Sequence, residues 1–244
     1  MRVLGGEVDV KQAGAAVLVA AVLLAAGATP AAQVGTIPAG FTRIFNQKNG
    51  DGWHWSRTVH HGTTPIAKVE DGALVLQPYP FGQGGLLLSD KSYKDFELYL
   101  EVKPDPNYNS GIFLRSTEGG SAYQLELAVP GNATGRLLGE QLRITSPEYI
   151  GPQRDVSSVW KDGEWNSMRL RMEGEAPHMT LWINDQQMWE VKTPKNDQIG
   201  GLYGGMIGLQ LHWSATYTEA AGGNGNGLPW AVQRFRNIAI KEIK

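Results

Sequence analysis

The sequence predicts an all-β fold, either a two-sheet antiparallel sandwich or a jelly roll. Hydrophobic and polar residues alternate with a period of two along many segments, which is the pattern of half-buried strands. The links between these segments hold Asp-Gly, Pro and Asn, as in "EDG" and "KPDPNYNSG", and these residues favour turns. Helical periodicity never extends beyond a turn or two. Many regularly spaced strands joined by turns are typical of sandwiches and jelly rolls.

Nine segments of the chain are predicted to be strands because each follows this alternation. They are Ala73–Gln77, Gly84–Asp90, Asp95–Lys103, Gly111–Ser116, Ala122–Val129, Trp165–Glu173, His178–Asn184, Met206–Trp213 and Val232–Ile243. A stretch rich in Gly and Asn, Ser214–Trp230, separates the last two strands. A long loop of this kind in a compact domain usually has a function or is disordered. We expect it to be a mobile loop over the rim of a groove.

Residues 1–32 are predicted to be a secretory signal, and residues 33–244 a single domain. The apolar run after Lys11 is rich in alanine, too short for a membrane span, and ends in small residues and a proline. A retained N-terminal anchor helix is the alternative, since Glu7 and Asp9 are unusual so near a signal. We expect a periplasmic or secreted protein with no stable membrane span after processing.

Charge and cysteine content exclude several classes of function. Lys and Arg together number 22 and Asp and Glu 24, so the formal net charge is -2. This balance does not favour a polyanion, and nucleic acid is not an expected partner. The chain has no cysteine. Disulfides, thiolate metal sites and cysteine nucleophiles are therefore excluded.

Polar side chains occupy alternate positions in several predicted strands whose other face is hydrophobic. If these strands lie in one sheet, their polar groups converge on a single surface. Any antiparallel sheet with one wet face gives such a pattern, but Lys, Thr and Ser then predominate. Here the groups are ones that hydrogen-bond with defined geometry. They are Glu97, Tyr99, Glu101, Arg115, Gln124, Glu126, Gln210 and His212.

This composition suits a sugar, so an oligosaccharide or glycoside is the expected ligand. Carboxylate, amide and guanidinium groups bind pairs of hydroxyls, and aromatic rings stack on the apolar faces of sugars. Asn109, in the turn before the strand that carries Arg115, and Phe113, on that strand, are further candidates for substrate binding. Trp53 and Trp213 are candidates for stacking, with ordinary packing as the alternative. The loop pair His60-His61 is interpreted as two solvated histidines, or as one ligand.

Several motifs carry a resemblance to a known family. The segments "GFTRIFNQKNGDGW", "NSGIFLRS", "YQLEL", "GEWNSMRLRMEG" and "GMIGLQLHW" occur in this order. Over Gly40–Ile243 the chain resembles the 3-keto-disaccharide hydrolase family. The resemblance implies a concanavalin A-like jelly roll with a concave polar face, export in bacteria, and action on glycosides oxidised at C3. Many members read Tyr-Glu-x-Gln where this chain reads Tyr123-Gln124-Leu125-Glu126, so acid and amide are exchanged.

A ketone at C3 of the sugar determines which catalytic groups are needed. It acidifies the hydrogen at C2, so the aglycone at C1 can leave by elimination, and water can add to the resulting enone. This route needs a base and a group that stabilises the enolate oxygen. The predicted base is His212, with Glu126 as the competing choice, and Arg115 is the predicted oxyanion partner. Replacing Arg115 is expected to abolish activity while leaving the melting temperature nearly intact.

The sequence bears on three alternatives to this mechanism. A divalent metal, calcium or another, held by Glu126, His212 and another residue of the same face, could replace Arg115 as the Lewis acid. The ExDxxE triad of laminarinase-type glucanases is absent from the sequence, which disfavours hydrolysis by two close carboxylates. A non-catalytic carbohydrate-binding module would use the same groove and aromatic residues, because sandwich folds support both functions.

Overall fold

The structure is a computed structural model of the chain. Contacts divide the chain into residues 1–31 and residues 32–244. The predicted signal segment and most of the Ser214–Trp230 stretch lie outside the described residues. The structure describes residues 36–244, except for 64, 81, 106–108, 129–132, 145–148, 198, 200–203 and 215–229.

The described residues form fifteen β-strands, and each pair of neighbouring strands is antiparallel. The strands are β1 Thr42–Arg43, β2 Trp53–Trp55, β3 Ile66–Glu70, β4 Ala73–Gln77, β5 Gly85–Tyr93, β6 Phe96–Val102, β7 Asn109–Ser116, β8 Ala122–Ala128, β9 Leu137–Glu140, β10 Tyr149–Ile150, β11 Asn166–Glu173, β12 His178–Ile183, β13 Gln186–Lys192, β14 Gly205–Leu211 and β15 Gln233–Glu242.

Two sheets are built from these strands. The eight-stranded sheet has the order β13-β12-β11-β6-β15-β4-β3, and β1 also pairs with β15. The seven-stranded sheet has the order β10-β9-β8-β7-β14-β5-β2. Strands that are distant in the sequence, such as β6 and β15, are therefore neighbours.

The core is one cluster of buried hydrophobic side chains from both sheets. Leu98 and Leu170 of the eight-stranded sheet belong to it together with Leu125 and Leu209 of the seven-stranded sheet, and each is at most 2% exposed. The alternation read from the sequence places these residues inward, and burying one such side chain contributes roughly 1.5–3 kcal/mol. The core therefore comes from the inward residues of both sheets.

The prediction of an all-β, two-sheet antiparallel jelly roll is confirmed. All nine predicted strands are present, with bounds that shift by a few residues. No α-helix occurs among the described residues, where one short 3-10 turn spans Val156–Ser158. Within the described residues, no helical segment could span a bilayer, since none has the required length and apolar character.

The chain changes sheet between β5 and β6, at Lys94 and Asp95. β5 belongs to the seven-stranded sheet and β6 to the eight-stranded sheet. Tyr93 and Phe96, on either side of the change, are both buried, and their ring centroids are 6.3 Å apart. The expectation that β6 shares a sheet with β7, β8 and β14 is therefore wrong.

This change of sheet corrects the interpretation of three predicted substrate-binding residues of β6. Glu97 forms ion pairs with two arginines of β11, at 3.2 and 3.3 Å. Glu101 accepts a hydrogen bond of 3.1 Å from the Tyr99 hydroxyl and one of 2.5 Å from Nε of Arg236. Because a strand's side chains alternate between its two faces, these residues lie on the outer face of the eight-stranded sheet. They do not converge with the candidates of β8 and β14.

Arg115, predicted to stabilise an oxyanion, is a buried residue at the change of sheet. Its Nε donates to the carbonyl of Lys94 at 2.6 Å, and its Nη1 to the carbonyl of Gly174 at 2.9 Å. Its Nη2 pairs with Oδ1 of Asp95 at 2.8 Å, and the side chain is 2% exposed. The guanidinium is thus engaged within the protein, and we withdraw its catalytic assignment.

A β-bulge explains why alternation fails at Arg115. Between Met206 and Gly208 of β14 the register on β7 advances by one extra residue, from Ser116 to Phe113. Arg115 has a φ of +52°, an uncommon conformation for a residue with a side chain. A bulge of this kind redirects a side chain from the face that strict alternation predicts.

Trp53, predicted to stack on a sugar, is a core residue instead. Its side chain belongs to the main hydrophobic cluster and is 8% exposed. Its indole N–H donates to the carbonyl of Ile44 at 2.9 Å. The packing alternative therefore holds for Trp53.

Replacing Arg115 by alanine is expected to lower the free energy of unfolding by about 3 kcal/mol. The change removes a buried guanidinium and leaves the carbonyls of Lys94 and Gly174 without its N–H donors. Urea denaturation measures the loss. This outcome replaces the expectation of an unchanged melting temperature.

The matched control is Arg171→Ala, because the Arg171 side chain is 41% exposed and Glu97, its buried partner, keeps an ion pair with Arg169. We expect that variant to lose at most about 1 kcal/mol. Equal losses in the two variants would contradict a structural role for the buried guanidinium.

Candidate active site

One face of the seven-stranded sheet brings together most of the remaining candidates. The hydrophobic neighbours of these residues in β7, β8 and β14 point into the core. Cross-strand register places Gly111 opposite both Glu126 and Gln210, and Phe113 opposite Gln124. We call this surface the polar face. It comprises Asn109, Gly111, Phe113, Gln124, Glu126 and Gln210, with His212 just beyond the end of β14.

Gln124 and Gln210 form a hydrogen-bonded pair over a glycine. Nε2 of Gln124 donates to Oε1 of Gln210 at 3.1 Å, and both side chains are buried. A Cβ atom at Gly111 would lie 2.5 Å from Nε2 of Gln124 and 2.9 Å from Oε1 of Gln210. Glycine at this position therefore allows the two amides to meet.

The segment of residues 56–62 packs against the polar face. Ser56 N donates to the carbonyl of Leu86 at 2.8 Å, and Ser56 Oγ donates to the carbonyl of Glu118 at 2.6 Å. Val59 joins Phe113 and three further buried residues in a second small hydrophobic cluster. These contacts hold the segment in place, and it carries His60 and His61 to the site.

Three histidines gather at this point. The ring centroid of His61 lies 4.0 Å from that of His60, 4.9 Å from that of His212 and 6.3 Å from that of Phe113. The amide Nε2 of Gln210 donates to Nε2 of His61 at 2.8 Å, although the two residues are 149 positions apart. His61 is only 2% exposed, so the expectation that both loop histidines are solvated is wrong for it. His60 remains exposed.

Burial controls the protonation of His61. Burial first, and then the neighbouring His212 and His60, lower the pKa of His61 to about 3. The ring is therefore neutral at physiological pH. Its Nδ1 is buried and has no hydrogen-bond partner among the described residues.

His212 is held in a single tautomer. Its Nδ1 lies 2.7 Å from the carbonyl oxygen of Trp213, which can only accept a hydrogen bond. The neutral ring therefore carries its proton on Nδ1 and leaves Nε2 as an acceptor. Burial lowers the pKa of His212, the bond to Trp213 opposes this effect, and the proximity of His60 adds to it. These features suit a general base.

Two carboxylates lie at the site: Glu140 beside His60 and His61, and Glu126 on the polar face opposite Gly111. Burial raises the pKa of Glu126, and the charge of Arg136 opposes this shift. Burial also raises the pKa of Glu140, with His60 acting in the opposite direction. Glu140 pairs in register with Ala122 of β8, so β9 supplies it to the same end of the site. Groups with shifted pKa values in one cluster are typical of active sites.

Trp213 is the aromatic candidate that the structure does place beside the polar face. Its side chain is 37% exposed. Its ring centroid lies 5.6 Å from that of His212 at an interplanar angle of 36°. An accessible indole in this position can stack on a sugar ring. Asn109, half-buried at the start of β7, pairs in register with Ala128.

His60, His61 and Glu140 could hold a metal ion. One ligand atom from each residue lies within 4.8 Å of the others. Nε2 of His60 is 3.4 Å and Nε2 of His61 is 3.8 Å from Oε1 of Glu140. The previously predicted ligands, Glu126 and His212, do not belong to this group. The only signal for this group in the sequence is the adjacent pair His60-His61, for which one ligand is the alternative expectation.

Comparison with solved structures supports the fold. A candidate glycosyl hydrolase from Parabacteroides distasonis ATCC 8503 has a TM-score of 0.54 and 18% identity, with 84% of this chain and 94% of that chain covered. The β-glucanase of Bacillus licheniformis has a TM-score of 0.53 and 14% identity, covering 84% and 99%. The Emp47p carbohydrate recognition domain has a TM-score of 0.52 and 10% identity, with 85% of this chain and 99% of that chain covered. The architecture is thus a concanavalin A-like jelly roll.

Residues 40–241 match the model of the family described as the 3-keto-alpha-glucoside-1,2-lyase-like domain. The chain belongs to this family, and the resemblance read from the sequence motifs is confirmed. Family and fold together indicate a carbohydrate-active, glycosyl hydrolase-like protein. No curated protein matches the chain.

The buried His61 predicts that the protein loses stability on acidification. Between pH 6.5 and about 3 the unfolded chain binds a proton at this residue that the folded chain does not. The stabilising contribution is therefore complete above pH 6.5 and falls as the pH falls. From pH 6 to pH 5 we expect a loss of about 1 kcal/mol from His61.

Urea denaturation at several pH values, with chelator present, tests this expectation. The His61→Asn variant should show a shallower decline between pH 6 and pH 5 than the wild type. The control His178→Asn removes an exposed histidine of the other sheet, and it separates the effect of the buried ring from the loss of any one histidine. An unchanged slope in His61→Asn would contradict the neutral, buried state of the ring.

Proposed function

We propose that the chain is an exported enzyme that cleaves 3-keto-glycosides at the polar face by proton abstraction and elimination. The periplasm or the extracellular medium is its proposed location, on the basis of the apolar leader in the sequence. The observation that carries the proposal is the cluster of His61, His212 and Glu140 beside the Gln124–Gln210 pair, with Glu126 on the same face of the sheet. Such a cluster supplies proton-transfer groups and hydroxyl-binding groups together.

The first chemical step is removal of the C2 proton. Nε2 of His212 is the proposed base, because Nδ1 is already bound to the Trp213 carbonyl. The electron pair of the C2–H bond forms a C2–C3 double bond, and the C3 carbonyl oxygen becomes an enolate oxygen. The second N–H of the Gln124 amide, whose first N–H binds Gln210, is proposed to donate to this oxygen in place of Arg115.

The second step is loss of the aglycone. The enolate re-forms the C3 carbonyl, the electron pair moves to the C1–C2 bond, and the C1–O bond to the aglycone breaks. The departing oxygen takes a proton, for which the protonated forms of His212 and Glu126 are the proposed sources. Addition of water at C1 of the enone then gives the free 3-keto-sugar. The overall balance is that of hydrolysis, and no nucleophilic residue is needed.

The substrate is proposed to lie across the polar face with one sugar ring near Trp213. The exposed indole offers an apolar surface beside His212. The unpaired Oε1 of Gln124, buried without a partner among the described residues, offers an acceptor for a sugar hydroxyl. A divalent metal at Glu126 and His212 stays a prediction.

The His212→Asn variant tests the assignment of the base. With a 3-keto-glucoside bearing a chromogenic aglycone, we expect kcat/KM to fall about 10²- to 10⁴-fold because the proton acceptor is lost. Deuterium at C2 should slow the wild type and should be lost from the product. Equal activity in wild type and His212→Asn would contradict the assignment.

Two further variants make this test specific. The control His178→Asn alters a histidine on β12 of the other sheet and should retain full activity. Glu126→Gln distinguishes the competing base, since a loss greater than that of His212→Asn would assign the role to Glu126. Binding of intact glycans without turnover of the keto-sugar would instead support a carbohydrate-binding module.

A further inference from the structure

We propose that His60, His61 and Glu140 bind one divalent transition-metal ion. A four-coordinate ion with ligands at about 2.0–2.2 Å places its ligand atoms about 3.3–3.6 Å from one another. Oε1 of Glu140 lies 3.4 Å from Nε2 of His60 and 3.8 Å from Nε2 of His61. The ligand atoms of His60 and His61 lie within 4.8 Å of each other, so these side chains must rotate to enclose an ion.

The donor types select the class of metal. Two imidazole nitrogens and one carboxylate oxygen suit zinc and its first-row neighbours. Calcium and magnesium prefer oxygen ligands only. Calcium, one of the metals predicted from the sequence, therefore fits this group poorly.

The electrostatics of Glu140 also favour a cation. Its side chain is 17% exposed, and the ion pairs that it forms within the described residues are both with histidines. A partly buried carboxylate beside the neutral imidazole of His61 is poorly compensated on that side. A divalent ion between the three groups would supply the missing positive charge.

Two buried polar atoms, one of His61 and one of the polar face, lack hydrogen-bond partners within the described part of the chain. Nδ1 of His61 and Oε1 of Gln124 are buried and lack hydrogen-bond partners among the described residues. His61 is 2% exposed and Gln124 is 4% exposed. Because Nε2 of neutral His61 accepts from Gln210, its Nδ1 is a donor, and these two orphan atoms leave room for a small polar molecule beside the proposed ion site.

Two amide side chains are placed to orient the ligating rings. The amide of Gln141 contacts Nδ1 of His60 at 3.0 Å, and the amide of Gln210 contacts Nε2 of His61 at 2.8 Å. A metal-bound histidine usually donates its second N–H to an oxygen. The Gln141 amide can present its oxygen by rotation, and the Gln210 amide must move from Nε2 when this atom binds the ion.

The part that the ion plays in turnover rests on the proposed function. A bound divalent ion would supply a Lewis acid for the C3 ketone, a role that buried Arg115 cannot fill. Binding of the ion itself does not depend on that chemistry.

Metal binding is tested directly with zinc. The purified protein is stripped with a chelator and titrated with ZnCl₂ by calorimetry, and with CoCl₂ by visible absorption. We expect one zinc ion per chain, cobalt absorption bands typical of nitrogen and oxygen ligands, and far weaker binding of calcium. His60→Asn and Glu140→Gln should each weaken zinc binding at least about 100-fold.

Matched controls separate this group from adventitious surface histidines. His178 and Glu190 form an exposed pair at 2.8 Å on the other sheet. His178→Asn and Glu190→Gln should bind zinc like the wild type. His60 is exposed, so His60→Asn is expected to fold, and its melting temperature without metal checks this.

Two outcomes would overturn the inference: absence of stoichiometric zinc binding in the wild type, or equal binding in His60→Asn, Glu140→Gln and the controls. The titrations contain no substrate. Zinc binding without cleavage of keto-sugars would therefore overturn the proposed function alone. Cleavage by a protein that binds no metal would overturn this inference alone.

Discussion

The arrangement of the site depends on the change of sheet at Lys94 and Asp95, which Arg115 stabilises. Its guanidinium binds the carbonyl of Lys94 and the carboxylate of Asp95 in a nearly solvent-free position. This junction separates β5 from β6. The polar residues of the chain are consequently divided between two surfaces. One surface is an ion-paired exterior, and the other carries imidazoles, amides and carboxylates that the protein leaves partly unsatisfied.

Close packing at the second surface produces its chemistry. Gly111 lets Gln124 and Gln210 meet, and Gln210 in turn contacts His61 of the segment 56–62. Burial of His61 destabilises the charged form of its ring. The ring is therefore neutral near physiological pH and can serve as a ligand or form hydrogen bonds. The hydrogen bond from Nδ1 of His212 to the Trp213 carbonyl fixes the tautomer of His212. Its Nε2 is therefore available as a base. The desolvation of His61 and the fixed tautomer of His212 are thus the two features that connect the structure with the proposed function.

Sequence alternation predicted the strands and the face on which Gln124, Glu126 and Gln210 lie, because a strand's period is set by its backbone. It could not predict the sheet to which a strand belongs, so Glu97 was grouped with residues of the other sheet. Sequence alternation also could not predict the bulge at Arg115, since one inserted residue reverses the face to which side chains point. The role of His61 depends on a contact with Gln210 across 149 positions, for which local pattern holds no signal.

The most direct test of the account is a crystal structure with a non-cleavable 3-keto-glycoside analogue bound. The account predicts that the ligand lies on the polar face, with C2 within about 3.5 Å of Nε2 of His212, as a near-attack arrangement requires. Its C3 carbonyl should face the glutamine pair and the group of His60, His61 and Glu140. A ligand bound instead to the outer face of the eight-stranded sheet, near Glu101, would contradict the account.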